Sequence, residues 1–246
     1  MKKLVLLALG LVLAVGMLAS CGGGTPTTIR VATDATWPPF EYINDAHEIV
    51  GFDIDLMNAI AEEANLDIEF VNVGWDPLLA GMAQGTYDAA ISSITITVDR
   101  QQDMLFSNPY YGAGQIVVVQ KSNTTITSKN NLTGDVGAQL GTTGAMEVEK
   151  ITGATLVNYD DIGLAFQALM NGQVVAVICD NPVAASYVVQ NSDELKIVGT
   201  VFTDEFYGIA VAKGQEDLLA KINEGLEKVL QEGIIETLEA KWYSAE

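Results

Sequence analysis

Two series of alternating strands and helices run along the chain, and this alternation limits the possible folds more than any other feature of the sequence. Short apolar segments indicate strands, and longer segments with apolar residues three or four positions apart indicate helices. The first series consists of strands at Thr28–Thr33, Ile68–Val73 and Ala89–Ile91, a helix at Gly51–Asn65 with Asp53 as its N-cap, and a helix at Pro77–Gln84. This β-α-β-α-β order predicts a parallel sheet covered by helices on both faces.

A second series with the same rhythm follows after a polar loop. Its segments are strand Asp135–Ala138, helix Gly141–Lys150, strand Thr155–Asn158, helix Ile162–Met170, strand Val174–Ile178, helix Pro182–Gln190 and a further strand at Leu195–Gly199. Two helices, Glu216–Gln231 and Ile234–Tyr243, come after it. Two similar units in one chain predict an α/β protein of two lobes, each a mostly parallel sheet flanked by helices.

Two continuous apolar strands, Gln115–Gln120 and Tyr207–Ala212, flank the second series. Their positions indicate that the second unit is inserted into the first, with these strands as the hinges between the lobes. We therefore expect residues 28–114 and 206–246 to form lobe 1 and residues 115–205 to form lobe 2.

The N-terminus carries an export pattern. Two lysines precede the apolar run Leu4–Leu18, so residues 1–20 are predicted to be a signal peptide. The residues Leu18–Cys21 resemble a bacterial lipobox, which implies cleavage before Cys21 and a lipid on its thiol. The alternatives are a simple secretory signal or a retained span, although the run is short for the ~20 residues that a membrane helix needs. The glycine-rich residues 21–27 are expected to form a flexible linker.

Charge and composition exclude several function classes. The chain has 32 acidic and 12 basic residues and a net charge of −20, which argues against a nucleic-acid partner. If Cys21 is lipidated, Cys179 has no partner for an intrachain disulfide. The single histidine, His47, has no neighbouring ligands, so we expect neither a metal nor a cofactor. The sequence also lacks a phosphate-binding glycine loop and a nucleophile motif, which argues against an enzyme.

A cluster of hydroxyl side chains follows the strand Ala89–Ile91. Ser92, Ser93 and Thr95 are followed by Arg100. A guanidinium matches a carboxylate with two charge-assisted hydrogen bonds, and hydroxyls and freed N–H groups at a strand end add donors. This stretch therefore suits an anion. A polar turn with Arg100 in a surface ion pair is the alternative reading.

Five segments in order resemble one family. They are Thr33-Asp34-Ala35-Thr36-Trp37-Pro38-Pro39-Phe40-Glu41, Gly51-Phe52-Asp53-Ile54-Asp55-Leu56, Ser92 to Arg100, Gly141-Thr142-Thr143, and Asp180 before Pro182-Val183-Ala184. Together they resemble the extracytoplasmic amino-acid-binding proteins of ABC importers, over essentially the whole mature chain. The resemblance implies the two-lobed fold of type II periplasmic binding proteins.

The resemblance also implies how the main-chain groups of an amino acid are held. Arg100 matches the family's carboxylate-binding arginine, with Ser93 and Thr95 as flanking donors. Thr142 and Thr143 lie where a strand turns into a helix, so their N–H groups would face the same carboxylate; a ligand-free helix N-cap is the alternative. Asp180 matches the acid that binds the ammonium, and it could equally cap the helix that starts at Pro182.

The pocket for the ligand's side chain is implied by the same likeness. Trp37 and Phe52 fall where relatives place aromatic residues on either side of that side chain, although Phe52 could instead be core. Asp34 matches an acid that receives the far end of a polar or cationic side chain, or it could stabilise a turn. Gln139 is neutral and would not repel a cation. These residues favour arginine, with glutamine and histidine as alternatives.

The implied function is binding by lobe closure. The first unit supplies most of these residues and the second supplies the rest, so one ligand must touch both lobes, and an ABC permease would recognise the closed form. We expect a monomer. The rival from another class is a cyclohexadienyl dehydratase acting on arogenate or prephenate, with Asp34 and Asp180 as candidate acids. The sensing domain of a receptor is a third possibility.

Overall fold

The computed structural model describes residues 28–243. The predicted signal peptide (residues 1–20), the lipidation site Cys21 and the linker (residues 21–27) lie outside the described residues. Within residues 28–243, every helix is too short or too polar to cross a membrane.

The helices and strands follow one another as the two predicted series require. The first part contains β1 (Ile29–Thr33), β2 (Thr36–Trp37), β3 (Glu41–Ile43), β4 (Ile49–Val50), α1 (Phe52–Glu63), β5 (Ile68–Asn72), α2 (Trp75–Gln84), β6 (Ala89–Ala90), α3 (Arg100–Asp103) and β7 (Met104–Phe106). The second part contains β8 (Tyr111–Ala113), β9 (Gln115–Gln120), a 3-10 turn (Lys129–Asn131), β10 (Gly134–Gln139), α4 (Thr143–Glu149), β11 (Ala154–Tyr159), α5 (Ile162–Met170), β12 (Ala176–Asp180), α6 (Asn181–Gln190) and β13 (Leu195–Val198). The chain then forms β14 (Glu205–Tyr207), β15 (Ala210–Ala212), α7 (Glu216–Gln231) and α8 (Ile234–Tyr243).

Two five-stranded sheets share the same internal order. The first runs β5-β1-β6-β15-β7 and the second runs β11-β10-β12-β9-β13. In each sheet the first three strands are parallel and the last two run antiparallel to their neighbours. The α/β prediction is confirmed. In each sheet four of the five strands run in one direction, and one strand, β15 in the first sheet and β9 in the second, is reversed. The antiparallel strands come from the parts of the chain that lead into or out of the crossings between the sheets.

The two segments that connect the sheets form a separate two-stranded ladder. Strand β8 pairs with β14 in antiparallel register, with Tyr111 opposite Tyr207 and Ala113 opposite Glu205. The strands expected to be hinges lie elsewhere, because β9 is part of the second sheet and β15 is part of the first. The predicted strand Tyr207–Ala212 is in fact two strands, β14 and β15. The pair β8–β14 therefore links the two sheets.

Helix α1 begins in a different way from the one predicted. Gly51, not Asp53, is at the N-cap position. A Cβ atom at residue 51 would lie 2.0 Å from the Phe40 carbonyl oxygen, and the φ angle of 140° is in the region that favours glycine. Asp53 is instead buried in the first turn of the helix. Its Oδ2 atom accepts the Ser93 backbone N–H and the Tyr110 hydroxyl, each at 2.8 Å, so α1 anchors the loop that follows β6.

Candidate functional site

One cavity lies at the carboxyl ends of the parallel strands of both sheets. Asp34 directly follows β1, Ser92 lies two residues after β6, and Gln139 and Asp180 are the last residues of β10 and β12. Ligands of open α/β sheets bind at such strand ends. The cavity spans about 310 Å³ of space, which includes its opening to solvent. It is lined by Asp34, Trp37, Glu41, Trp75, Ser92, Ser93, Thr95, Arg100, Gln139, Thr142, Thr143 and Asp180.

Every site residue expected from the sequence lines this cavity except Phe52. Phe52 is fully buried in a cluster of aromatic rings. Its ring meets the Phe40 ring edge-on at 5.8 Å and stacks on the Tyr110 ring at 6.4 Å. These ring contacts hold the Phe52 side chain in the core and away from the cavity. The expectation that Phe52 contacts the ligand is therefore wrong.

Trp75 provides the second aromatic wall in its place. It is the first residue of α2, after the carboxyl end of β5, and it lines the cavity. The sequence signal was available, because a tryptophan between a parallel strand and its crossover helix falls at the edge where ligands bind. Glu41 is the other lining residue that the sequence analysis missed.

Arg100 is buried at the cavity wall with only 8% of its surface exposed. Its Nη1 atom donates to the Thr95 carbonyl at 2.9 Å and its Nη2 atom donates to the Gly141 carbonyl at 3.2 Å. The guanidinium also lies 5.1 Å from the centre of the Trp75 ring. Burial lowers its pKa to about 10, against the opposing effect of Asp180. The side chain is thus charged at neutral pH and held in place, which excludes the surface ion pair.

Asp34 receives hydrogen bonds from both halves of the molecule. Thr36 Oγ1 donates to Asp34 Oδ1 at 3.1 Å, and Gln139 Nε2 donates to Asp34 Oδ2 at 2.9 Å. Burial raises the pKa of Asp34 to about 6, partly opposed by the Gln139 bond. The carboxylate therefore has a turn-stabilising contact and also faces the cavity.

Asp180 is the acid at the opposite wall. It is at the N-cap position of α6, but its side chain makes no capping hydrogen bond. Its Oδ1 atom accepts a hydrogen bond from Gln115 Nε2 at 3.1 Å. Burial raises the pKa of Asp180 to about 7, and the negative charge of Glu205 adds to this effect. The orientation of its side chain favours the cavity role over the capping role.

Glu41 and Asp53 form a buried acidic pair beside the loop that follows β6. Ser92 Oγ donates to Glu41 Oε1 at 3.0 Å and also accepts the Asp34 backbone N–H at 3.0 Å. Burial, followed by the charge of Asp53, raises the pKa of Glu41 well above its ordinary value. Burial also raises the pKa of Asp53 to about 6. The Ser92 hydroxyl thus links the Glu41 side chain to the backbone of Asp34.

The two threonines at the start of α4 have different contacts. Thr142 Oγ1 accepts the Ala145 backbone N–H at 3.2 Å, so Thr142 caps the helix as its alternative reading predicted. Thr143 Oγ1 donates to Glu205 Oε2 at 2.8 Å. Both residues line the cavity as well.

The charges of the lining residues are unbalanced. Asp34, Glu41 and Asp180 face one guanidinium, that of Arg100. A buried excess of carboxylates is stabilised when a cation enters, because burying an unpaired charge is costly. Within residues 28–243 there is no cluster of three His, Cys, Asp or Glu side chains that could hold a metal ion. The cavity therefore offers a guanidinium to an anionic group of a ligand and acidic side chains to its cationic groups.

Known proteins are similar to this chain in sequence and in fold. Residues 29–245 match the model of the bacterial extracellular solute-binding proteins, family 3. A probable histidine-binding protein of Neisseria gonorrhoeae is 36% identical, over 93% of this chain and 91% of that protein. A putative ABC transporter arginine-binding protein 2 of Escherichia coli strain K12 is 36% identical, over 88% and 90% of the two chains.

Solved structures agree with these relatives. The structure of an ancestral arginine-binding protein bound to arginine has a TM-score of 0.84 and 42% sequence identity, covering 88% of this chain and 98% of that one. The ancestral arginine-binding protein was also solved bound to glutamine. The match to the family model spans nearly all of the described residues and agrees with the two-sheet architecture. The chain belongs to the bacterial extracellular solute-binding proteins, family 3.

Proposed function

We propose that this protein binds a cationic L-amino acid, with arginine favoured, outside the cytoplasm and delivers it to an ABC permease. The observation that carries the proposal is the composition of the cavity, in which one buried guanidinium faces three carboxylates. Arginine has one carboxylate to pair with Arg100 and two cationic groups to pair with Asp34 and Asp180. The third acid, Glu41, has a pKa that burial raises well above its ordinary value, which favours its neutral form. Relatives named for histidine and arginine binding support a cationic ligand, and the ancestral arginine-binding protein solved with glutamine supports the glutamine alternative.

Each group of the ligand has a partner in the cavity. Arg100 binds the α-carboxylate, because its position is fixed by two carbonyl groups and its remaining N–H donors are free to pair with an anion. Asp180 binds the α-ammonium. The side-chain guanidinium lies between Trp37 and Trp75 and reaches Asp34, with Glu41 next to it. Ser92, Ser93, Thr95, Gln139, Thr142 and Thr143 complete the proposed site.

Binding is coupled to closure of the two lobes. The cavity takes Asp34, Trp37 and Arg100 from the first sheet and its connections, and Gln139 and Asp180 from the second. A ligand that touches both sets stabilises the closed arrangement, because the open form separates them. The predicted lobe boundary at residues 114–115 follows β8, and the one at residues 205–206 falls within β14. We therefore assign the bending to this strand pair. An ABC permease then recognises the closed form, and the protein acts as a monomer.

The cavity is proposed to bind its ligand without transforming it. A dehydratase needs a general acid placed over the leaving hydroxyl. The candidate acids Asp34 and Asp180 already accept hydrogen bonds from Gln139 and Gln115. Their proposed partners are the two cationic groups of the ligand, whose charge favours the ionised acids, so neither acid holds a proton to donate.

Export and lipid anchoring complete the proposal. The family is extracellular by description, and the Leu18–Cys21 sequence provides the acceptor cysteine for a lipid. Cys21→Ala should release the protein from the membrane fraction into the soluble fraction when the full chain is expressed in a bacterium. Equal membrane association of wild type and variant would contradict a lipid on Cys21.

A thermal-shift screen tests the ligand assignment. The purified chain is heated with each of the twenty amino acids, and with arogenate and prephenate, whose turnover is assayed in parallel. A ligand at 100 times its Kd stabilises the folded state by about 2.7 kcal/mol. We expect the largest rise in Tm with arginine and a smaller one with glutamine or histidine. A protein that responds to no amino acid, or that dehydrates arogenate, would overturn the proposal.

A further inference from the structure

Glu205 joins the strand pair that links the sheets to both walls of the cavity. Its Oε2 atom accepts the Thr95 hydroxyl at 2.9 Å and the Thr143 hydroxyl at 2.8 Å. Its Oε1 atom accepts the Thr203 hydroxyl at 2.7 Å. Glu205 is the first residue of β14 and is 8% exposed. One carboxylate thus takes three hydroxyl donors from three different parts of the chain.

Two of these donors come from opposite sides of the cavity. Thr95 is in the loop that follows β6 of the first sheet, whereas Thr143 begins the helix that follows β10 of the second sheet. Both hydroxyls reach the same oxygen atom of Glu205. Separation of the sheets would break at least one of the two bonds, so the arrangement depends on how close the sheets are.

The single hydroxyl hydrogen of Thr95 and of Thr143 limits what each side chain can bind. A hydroxyl has one hydrogen to donate. Since Thr95 and Thr143 both donate to Glu205, neither hydroxyl has a hydrogen left for the carboxylate of a ligand. Hydrogen bonds to a charged acceptor are also stronger than those between neutral groups. The hydroxyls are therefore committed to a carboxylate that the protein itself supplies.

Thr143 also connects Glu205 to the acid proposed to bind the ammonium. Gln115 Nε2 donates to Thr143 Oγ1 and to Asp180 Oδ1, each at 3.1 Å. Gln115 is fully buried and begins β9, directly after the linking strand β8. A continuous chain of hydrogen bonds therefore runs from the cavity to the linking strands and on to the first sheet. Its members are Asp180, Gln115, Thr143, Glu205 and Thr95.

We infer that Glu205 is a positioning residue that holds the two sheets in the closed arrangement through the hydroxyls of Thr95 and Thr143. This inference rests on the proposed amino-acid binding and deepens it. It changes the role of the two threonines, because their hydroxyls act on closure and do not bind the ligand directly. Loss of Glu205 should mainly speed ligand release, since the closed form would open more often.

A double-mutant cycle with arginine as the ligand distinguishes threonine hydroxyls that act through Glu205 from hydroxyls that bind the ligand directly. The variants are Glu205→Ala, Thr95→Val, Thr143→Val and the two double variants, with affinity measured by calorimetry and rates by stopped-flow tryptophan fluorescence. Each single variant should weaken binding about tenfold, the loss expected for a hydrogen bond to a charged group. The dissociation rate should carry this change and the association rate should stay within about threefold.

The cycle gives opposite results for the two roles. If the threonine hydroxyls act through Glu205, each double variant should bind no more than about twofold worse than its weaker single variant. If they bind the ligand directly, their losses should multiply with that of Glu205→Ala, and the inference falls. Glu205→Gln keeps an acceptor oxygen and the side-chain volume, so it should recover most of the affinity.

One control variant shows whether the effect is specific to Glu205. Asp204→Ala removes the neighbouring exposed acid and should leave the affinity for arginine within about twofold of wild type. Unchanged dissociation rates in both Glu205→Ala and Glu205→Gln would overturn the inference. Failure of the wild-type protein to bind any amino acid would contradict the proposed function instead, so the two failures can be told apart.

Discussion

Gln139 and Asp34 form a buried hydrogen bond of 2.9 Å between the two sheets, from Gln139 Nε2 to Asp34 Oδ2. Gln139 ends β10 of the second sheet, and Asp34 follows β1 of the first. The amide donates to the acid without neutralising it, so a negative charge stays available next to the junction. This bond joins the sheets and holds the carboxylate at the cavity, where we propose that it meets the far end of the ligand.

Asp34→Asn should change ligand preference more than overall affinity. Asparagine keeps an oxygen that can accept from Gln139, but it loses the charge that would pair with a guanidinium. We expect arginine to bind about 10- to 100-fold more weakly, as for a desolvated charge-assisted contact, and glutamine to change less than about threefold. Calorimetric titration with both ligands measures the ratio. Equal losses for the two amino acids would exclude Asp34 as the cation partner.

Arg100→Ala should remove amino-acid binding. Two carbonyls and the Trp75 ring fix the guanidinium at the cavity wall, and the loss should exceed about 100-fold. Arg100→Lys is the conservative test, since an ammonium cannot make the paired contact with a carboxylate and should also bind poorly. Calorimetry gives the affinity, and circular dichroism checks that each variant is folded.

Arg30→Ala is the matched control for the arginine variants. Arg30 is the other arginine of the chain, and its side chain is 43% exposed beside Glu69. The control should bind like wild type, because surface ion pairs contribute little. Retained binding in Arg100→Ala would mean that the carboxylate is held elsewhere.

Trp75 and Phe52 should separate binding from stability. Trp75→Ala removes an aromatic wall of the cavity, so arginine affinity should fall about 10-fold or more through lost stacking and cation–π contact. Phe52→Ala opens a hole in the aromatic cluster and should reduce the free energy of unfolding by about 3–5 kcal/mol. Urea unfolding and calorimetry on both variants make the comparison. The opposite pattern, with affinity lost only in Phe52→Ala, would restore the original assignment.

Arginine should bind more weakly at acid pH, because the acids of the empty cavity take up protons there. Burial raises the pKa of Asp34 to about 6 and that of Asp180 to about 7. A cationic ligand favours the ionised acids, so binding releases protons between about pH 4 and pH 7 and affinity rises over that range. Calorimetry in buffers of different ionisation enthalpy counts the released protons. Affinity independent of pH from 5 to 8 would contradict this assignment of the acids.

The same raised pKa values make the stability of the ligand-free protein fall as the pH rises, whereas the affinity for arginine rises. A carboxyl group whose folded pKa is raised stabilises the fold fully below its unfolded pKa of about 4, and that contribution is lost as the pH rises through the folded value. For Asp180, the loss should be complete above about pH 7. Removal of one buried acid in Asp180→Asn should therefore raise Tm more at pH 8 than at pH 5. An equal shift in Tm at pH 5 and pH 8 would contradict the raised pKa of Asp180.

Much of the fold could be read from the sequence because its signals are local. The helices α5, α7 and α8 and the strand β9 begin and end where periodicity placed them. Strands β2, β3, β4, β7 and β8 and helix α3 were missed, since two to four residues carry too little pattern. The connection between the sheets was misplaced for a related reason. A run of apolar residues does not reveal where a strand leaves one sheet and joins another.

The candidate site was predictable where it depended on order along the chain, and less so where it depended on orientation. Asp34, Arg100 and Asp180 follow strands, and the shared edge of a parallel sheet brings such residues together. Phe52 and Trp75 both begin helices, so the sequence alone did not show which ring faces the cavity. The commitment of the Thr95 hydroxyl to Glu205 joins residues 110 positions apart, a distance at which no local pattern operates.

The matching order of the two sheets has a consequence for engineering. Each sheet directs the carboxyl ends of its parallel strands towards the cavity, while its apolar residues pack into cores against the flanking helices. Ligand chemistry and scaffold durability are thereby encoded in different stretches of the polypeptide. A combinatorial library confined to the turns after β1, β6 and β10 could search for new sensors while leaving the supporting framework as it is.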